Sequence, residues 1–490
     1  MSKSKNKVVV NYLYNTLYEV LRLIAPLITT PYVSRILGAD GVGTYSYTQS
    51  IATYFVLVGA VGTTLYGQRE IAYVQDDIQK RSKVFFEVFT FRFITSIFCT
   101  VVFFLAFCNG TKYAVLYRIL TLEVVATSVD ISWFFMGMEN FRITAIRHIC
   151  IKLLGISMVF LLVKKPEDVP LYTLCVTAPI VVGNLSLWLS VRKYLVFTGL
   201  PSFSAIAKHI KPVLILFVPQ VAVEVYLVLD KTMIGLLASD ISQVGYYTQA
   251  QKIIKLLLTI VVSLGTVMLP AMSAAFAKGR TDEIKKRIKT AFRFNFMLSF
   301  ALMFGVIAVA DRFVPIFFGD GYAPVVQLMI IISPILVIIG ISNVIGKQYL
   351  LPTKQQKAYT SSVVIGAVVN CILNYILIRK YNALGASIAT LVAEISVTMT
   401  QFWFVRRKLP LREYASYLFR YCAFGLGMYF CVRGLGKLLP KGLPSLCIMI
   451  GAGVVVFMIE LIVTKDELLQ QGKSLLVRRK ARTSTEMDET

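Results

Sequence analysis

Long apolar stretches separated by short polar loops run through the whole chain. About fourteen of them reach the roughly 20 residues that a helix needs to cross a bilayer. Since they are continuous rather than alternating between apolar and polar positions, they predict helices and not the strands of a barrel. The pattern therefore predicts an all-α polytopic membrane protein with about 14 transmembrane helices. The predicted spans are 9–37, 41–66, 84–108, 114–137, 146–163, 170–191, 212–237, 245–276, 291–314, 324–345, 358–378, 384–405, 415–435 and 445–464.

A short motif occurs twice, each time at the start of the second helix of a six-helix set. The two copies are Gly43-x-Tyr45-x-x-x-Gln49-x-Ile51 and Gly245-x-Tyr247-x-x-x-Gln251-x-Ile253. Because six is even, both sets enter the membrane from the same side, as in transporters built from parallel repeats. The repeat predicts two pseudo-symmetric six-helix lobes. The predicted domains are an N-terminal lobe at 1–191, a cytoplasmic linker at 192–211, a C-terminal lobe at 212–405, two additional transmembrane helices at 406–464 and a cytoplasmic tail at 465–490.

Composition supports a membrane protein and argues against several other classes of protein. Of the 490 residues 57% are hydrophobic and only 16% charged, where a soluble protein carries about a quarter. The net charge of +25 could indicate nucleic acid, but the Lys and Arg residues lie in alternate loops, which places both termini in the cytoplasm. All loops are short and no phosphate-binding glycine loop is present. We therefore expect neither an enzyme nor a nucleic-acid partner, and no cofactor or metal.

A polar stripe follows one face of the first span at helical spacing. Its members are Tyr12, Asn15, Glu19, Arg22, Pro26 and Thr29. A charge at the centre of a membrane helix costs about 2.5–3.5 kcal/mol, so such residues should face protein or water. The stripe is longer than one ion pair requires, which favours a cavity lining. The alternative is a Glu19–Arg22 pair that is buried between helices and neutralises itself.

Further charges recur in later spans. Lys252 and Lys255 share a face with no acid on it, so they would repel each other unless an anion or water lies between them. The alternative is that both extend to lipid head groups. In span seven Glu224 and Lys231 share a face, while Asp230 points some 100° away from Lys231.

Acidic and remaining polar residues complete the candidate site. Span four offers Glu123 and Asp130. Arg and Lys suit phosphate, and isolated carboxylates suit a proton or sodium ion. The predicted substrate therefore has an anionic head and a lipid tail. The only two histidines, His148 and His209, are interpreted as interfacial rather than catalytic.

The stretch at 26–45 resembles the opening signature of the bacterial polysaccharide flippases of the Wzx type, in the multidrug/oligosaccharidyl-lipid/polysaccharide exporter superfamily. Its pattern is Pro26-x-x-Thr-Thr-Pro31-Tyr32-Val-Ser-Arg35-x-Leu-Gly38-x-x-Gly41-x-Gly43-x-Tyr45. Gly38, Gly41 and Gly43 predict a tight turn between the first and second helices. Supporting stretches are Tyr66-Gly-x-Arg69-Glu-Ile-Ala72, Leu229-Asp-Lys-x-x-Ile-Gly235, Phe317-Phe-Gly319, Gln348-Tyr-Leu-Leu-Pro352, Asn370-x-x-Leu-Asn374 and Leu384-Gly-Ala-Ser-Ile-Ala-Thr-Leu-Val-Ala-Glu394. The resemblance covers essentially the whole chain.

The resemblance implies a flippase that moves undecaprenyl-pyrophosphate-linked oligosaccharide across the bacterial cytoplasmic membrane by alternating access, coupled to a proton or sodium gradient. From the polar stripes and not from the resemblance, Arg22, Lys231, Lys252, Lys255 and Asn15 are predicted to bind the pyrophosphate and sugar. Glu19, Glu224, Asp230 and Asp130 would couple the ion or balance the cations. The expected partners are the lipid-linked oligosaccharide, membrane lipids and a polysaccharide polymerase, with the chain itself a monomer. The alternative is a drug/cation antiporter of the same superfamily.

Overall fold

The computed structural model of the chain describes residues 2–469 and contains no strand within them. Their side chains are described except those of 2–16, 18, 19, 22, 219, 222, 223, 225–227, 264, 266, 267 and 411. The helices are α1 (Ser2–Ala60), α2 (Thr63–Tyr73), α3 (Ile78–Phe107), α4 (Ala114–Val129), α5 (Ser132–Gly137), α6 (Phe141–Leu162), α7 (Val169–Val191), α8 (Phe203–Leu237), α9 (Ser242–Ala277), α10 (Thr281–Phe318), α11 (Ala323–Ile332), α12 (Ile335–Ser342), α13 (Gln356–Val405), α14 (Leu411–Leu438) and α15 (Leu443–Val463). A 3₁₀ turn covers Pro166–Asp168 and a π-helical stretch covers Asn343–Leu350.

Ten helical stretches of the described chain are long and apolar enough to cross a membrane. The helices α1 and α13 each contain one residue with non-helical backbone, and each therefore consists of two helices. The 35-residue α8 and the 28-residue α14 are also long enough to span a hydrocarbon core. The predicted all-α polytopic membrane fold is confirmed.

The break in α1 lies at Gly38, inside the predicted glycine-rich turn. Gly38 has φ 67° and ψ −179°, a combination that is essentially restricted to glycine. A Cβ added there would meet no atom within 4 Å, so backbone conformation and not space requires the glycine. The turn predicted from three glycines is thus a break at one of them.

Gly38→Ala is expected to destabilise the protein by about 1–3 kcal/mol, because alanine must adopt this strained backbone. The matched control is Gly434→Ala in α14, where an added Cβ also meets nothing within 4 Å but the backbone is helical. That control should be neutral or stabilising by up to about 1 kcal/mol. Thermal unfolding in detergent measures both. Equal melting temperatures for the two variants would contradict the conclusion that the backbone conformation at Gly38 requires glycine.

The chain forms two compact units, residues 1–248 and 249–490. An aromatic cluster forms part of the core of the first unit and holds α3, α5 and α7 together, with the ring of Phe85 in contact with those of Trp133, Phe134 and Trp188. The predicted lobe boundaries at 191 and 212 stay a prediction. Residues 203–211, assigned to a linker from sequence, are the first turns of α8. The helix begins there because the Ser202 hydroxyl caps it, accepting a hydrogen bond from the amide of Ala205 at 3.3 Å.

In the second unit the chain after α15 returns to α10 and α14. Asp466 is fully buried and accepts a hydrogen bond from the Tyr421 hydroxyl at 2.9 Å. Its carboxylate also lies 3.4 Å from Arg420 and 3.5 Å from Arg293. One carboxylate thereby fixes the end of α15 to both neighbouring helices.

Candidate functional site

The polar stripe of the first span falls partly outside the described side chains. Those of Asn15, Glu19 and Arg22 lie outside them, so their placement stays a prediction. The helix itself continues through Pro26. Thr29, at the end of the stripe, donates a hydrogen bond to the carbonyl oxygen of Ala25 at 2.9 Å, within its own helix.

Asp230 on α8 lies beside Tyr247 on α9. Its side chain is buried, and one carboxylate oxygen accepts a hydrogen bond from the Tyr247 hydroxyl. Two positions further along α8, the Thr232 hydroxyl lies 2.8 Å from that of Ser50 and 3.1 Å from that of Tyr54, both on α1. The structure thus brings a predicted site residue together with a residue of the repeat motif.

The remaining predicted cations and acids lie along two helices. Glu224 and Lys231 are half-buried on α8, while on α9 Lys252 is half-buried and Lys255 exposed. Lys252 and Lys255 belong to the second compact unit and Lys231 to the first. A single site formed by all these cations stays a prediction.

Asp130 lies between two arginines immediately after α4. Its Oδ2 is 3.0 Å from Nη2 of Arg92, and its Oδ1 is 3.6 Å from Nη1 of Arg147. Oδ1 also accepts a hydrogen bond from the amide of Ser132 at 3.0 Å, at the start of α5. A carboxylate that lies between two guanidinium groups offsets part of their positive charge. These contacts favour charge balance over ion coupling for Asp130, and its role stays a prediction.

The two arginines are held by further hydrogen bonds. Arg92 donates from Nε to the carbonyl oxygen of Thr127 at 2.8 Å, and Arg147 donates from Nη1 to Oδ1 of Asn184 at 2.8 Å. Both arginines are buried. Sequence reasoning named Asp130 but missed these partners. The sequence signal that could have indicated this pairing was Arg92, an arginine inside an apolar span.

Glu123 on α4 has a neutral partner on α1. Gln49 donates from Nε2 to both carboxylate oxygens of Glu123, at 3.0 and 2.9 Å. No arginine or lysine of the described chain forms an ion pair with Glu123. Gln49 is one of the repeated motif positions, so the motif supplies an amide to a carboxylate that has no ion-pair partner among the described side chains. The sequence analysis named Glu123 in span four but assigned it neither to substrate binding nor to ion coupling.

The two motif copies meet at their glycines, within the first unit. A Cβ added to Gly43 would overlap the carbonyl oxygen of Ile241 and lie 3.1 Å from the amide nitrogen of Gly245. A Cβ added to Gly245 would overlap the carbonyl oxygen of Ala39 and lie 3.2 Å from the amide nitrogen of Gly43. Ile241 lies four residues before Gly245, and Ala39 lies four residues before Gly43. The contacts are therefore reciprocal, as expected for two copies related by a local two-fold axis.

His209, near the start of α8, is buried by neighbouring helices, and its interpretation as interfacial stays a prediction. Its Nδ1 lies 2.6 Å from the Tyr66 hydroxyl and its Nε2 lies 3.0 Å from Oε2 of Glu87. The ammonium of Lys208 lies 2.8 Å from the same Glu87 oxygen. A histidine near a helix start looks exposed in sequence, but α2 and α3 cover this one. The group links three helices of the first unit.

Comparison with known proteins places these features in a family. A family model described as polysaccharide biosynthesis protein matches residues 8–276, and a model described as MatE matches residues 196–376. A provisionally named O-antigen transporter of Escherichia coli (strain K12) is 24% identical over 404 residues, which is 81% of this chain and 96% of that protein. A provisionally named low-salt glycan biosynthesis flippase of Haloferax volcanii is 25% identical over 162 residues, about a third of each chain.

A solved structure of similar fold is the lipid II flippase MurJ in an inward closed conformation. It has a TM-score of 0.72 at 17% identity, and the match covers 94% of this chain and 100% of that one. The fold and the relatives are those of transporters, and the expectation that the chain is not an enzyme is confirmed. The resemblance to Wzx-type flippases is also confirmed. Since its model matches more than half of the sequence, the chain belongs to the polysaccharide biosynthesis protein family.

Proposed function

We propose that the chain is a flippase for lipid-linked oligosaccharides, moving them from the inner to the outer leaflet of the bacterial cytoplasmic membrane. The observation that carries the proposal is the family match over 8–276, a range that is almost entirely helix in the described chain. In the described chain the longest segment between helices is 192–202, too short for a catalytic domain. The transported group must therefore be handled inside the membrane, and both relatives are named for moving glycans or O-antigen.

The proposed substrate is an undecaprenyl-pyrophosphate-linked oligosaccharide used for capsule, O-antigen or exopolysaccharide. Its pyrophosphate would bind Arg22, Lys231, Lys252 and Lys255, and Asn15 would hydrogen-bond to phosphate or sugar. Arginine can bind phosphate oxygens in a bidentate manner, while lysine acts as a point charge. The head group would occupy the polar interior while the lipid tail stays in the bilayer.

The reciprocal glycine contact supports alternating access for this substrate. Close backbone packing at Gly43 and Gly245 lets two helices turn against each other without side chains between them. In transporters built from repeats, access alternates when one repeat rocks against the other. We assign the contact between 39–43 and 241–245 as the pivot of that motion.

Coupling to a proton or sodium ion would use a carboxylate that can lose its charge or bind the ion. Glu123 joins Asp230, Glu224 and Glu19 as a candidate, because the described hydrogen bonds to its carboxylate come from the neutral amide of Gln49. We assign Asp130 to charge balance instead, because two arginines face its carboxylate. We further propose that both termini lie in the cytoplasm and that the chain works as a monomer with a polysaccharide polymerase.

The second candidate function is drug/cation antiport, which the MatE match over 196–376 favours. A cationic drug needs a site dominated by acids. The candidate site instead contains Arg22, Lys231, Lys252 and Lys255. We therefore rank lipid-linked oligosaccharide first.

Replacing Lys252 and Lys255 together by glutamine should abolish surface polysaccharide in the producing bacterium, because the pyrophosphate loses two cations. The protein should remain in the membrane at its normal level. Immunoblotting of membranes and quantification of surface polysaccharide measure these results.

The matched control replaces Lys437 and Lys441, two exposed lysines beside the α14–α15 turn, and should export normally. Normal export by the Lys252/Lys255 variant would refute the site assignment. Drug sensitivity without a polysaccharide defect after deletion of the gene would refute the flippase and support the antiporter.

A further inference from the structure

Five cationic side chains surround one cleft where the start of α10 meets the α13–α14 connection, all within the second unit. They are Lys285, Lys286, Lys289, Arg407 and Lys408. The cleft has a volume of about 490 Å³, and Glu413 is the one acid in its lining. A second cleft of about 390 Å³ shares Lys285, Lys408 and Leu409 with it. The lining thus carries five positive charges and one negative charge.

Acidic neighbours within the described chain do not neutralise these cations. Glu283, the nearest acid in sequence, forms its ion pairs with Arg280 and Arg287 instead. Lys408 donates to the side-chain oxygen of Gln355 at 2.5 Å, and Lys289 lies 5.8 Å from the ring centroid of Tyr417. Neither contact removes a charge. Like charges gathered around one cleft repel each other, so an anion bound there would stabilise the arrangement.

Tyr414 provides a second and independent sign of a ligand. Its side chain lines the cleft, is 4% exposed and stacks on Phe292 with 4.6 Å between ring centroids. Its hydroxyl is buried and has no hydrogen-bond partner among the residues that the structure describes. A buried hydroxyl without a partner is unfavourable. A bound group with a strong acceptor oxygen would satisfy it.

The chemistry that meets both requirements is a phosphate, which offers negative charge and several acceptor oxygens. The cleft lies at the ends of helices of spanning length, among residues whose pattern predicts the basic face of the protein. Lipid head groups lie at this level, and Lys/Arg clusters next to membrane helices bind anionic lipids. We propose that the cleft binds the phosphate head group of an anionic phospholipid. This inference is independent of the transported substrate.

The test uses the full-length protein purified in detergent and native mass spectrometry with phosphatidylglycerol and phosphatidylcholine of the same acyl chains. Wild type should retain phosphatidylglycerol in preference. The variant K285Q/K286Q/K289Q should bind it at least about tenfold more weakly. The matched control K83Q/K193Q/K211Q removes three exposed lysines of the first unit and should bind as wild type does. Equal binding of the two lipids by wild type, or equal losses in both variants, would overturn the proposal.

Tyr414→Phe separates ligand binding from folding, because it keeps the stacked ring and removes only the hydroxyl. Affinity for phosphatidylglycerol should fall about three- to tenfold while the melting temperature is unchanged or higher. Unchanged affinity in this variant would overturn the proposal. The last experiment adds sodium pyrophosphate at millimolar concentration and measures whether it displaces the bound lipid. Complete displacement of the lipid by pyrophosphate alone would show a site for free phosphate groups and would also overturn it.

Discussion

Replacing Asp130 by asparagine is expected to destabilise the protein by about 3–5 kcal/mol. The substitution keeps the size of the side chain but removes the charge that lies 3.0 Å from Arg92 and 3.6 Å from Arg147. The buried guanidinium group of Arg92 would then lose its carboxylate partner, and an uncompensated buried charge is among the most costly defects in a folded protein. Thermal unfolding in detergent measures the loss.

The matched control is Asp311→Asn, which breaks the ion pair between Asp311 and Arg433. That pair is shorter, at 2.6 Å, but its side chains are 45% and 42% exposed. Exposed pairs contribute little, so the loss should stay below about 1 kcal/mol. If both variants melt at the same temperature, burial of the ion pair does not increase its contribution to stability. The assignment of Asp130 as a stabilising buried counter-ion is then wrong.

The second large effect is expected at the glycine contact. Gly43→Ala places a Cβ against the carbonyl oxygen of Ile241, and Gly245→Ala places one against that of Ala39. The obstructing atoms are backbone and cannot rotate away, so the helices must separate. We expect a loss of about 1–3 kcal/mol in stability for each variant and loss of polysaccharide export.

The reciprocal geometry makes this prediction specific, since the two variants should fail alike. Gly451→Ala in α15 is the control, because an added Cβ there meets nothing within 4 Å. It should export normally. Surface polysaccharide is measured in a strain that lacks the gene, together with the amount of protein in the membrane. Normal export by Gly43→Ala, or failure of only one of the two variants, would exclude a shared pivot.

Hydrophobic patterning predicted the fold well because helix formation in a membrane is dictated locally. Every backbone hydrogen bond must be satisfied within an apolar segment, so a long apolar run becomes a helix whatever its neighbours are. The glycine-rich stretch at 38–43 likewise predicted the break in α1 before any contact was known. Its precise form, one residue with positive φ at Gly38, appeared only in the structure.

Partner choice could not be predicted in the same way. Helical spacing shows which residues share a face, but it does not show which helix lies opposite that face. Asp130 was assigned to ion coupling or charge balance, and its partner Arg92 lies 38 residues away. His209 contacts the Tyr66 hydroxyl, which lies 143 residues before it in the sequence. Such contacts depend on how several helices pack at once.

The sequence alone determined the class of protein, the helical spans, the repeat and the family resemblance, because each follows from local composition or order along the chain. Only the tertiary structure decided that the two copies of the repeat meet at Gly43 and Gly245, that Gln49 donates to Glu123, and that Asp130 lies between two arginines. The physical reason is that burial and charge pairing are properties of packed helices. A single helix carries the groups, and its neighbours decide which of them become partners.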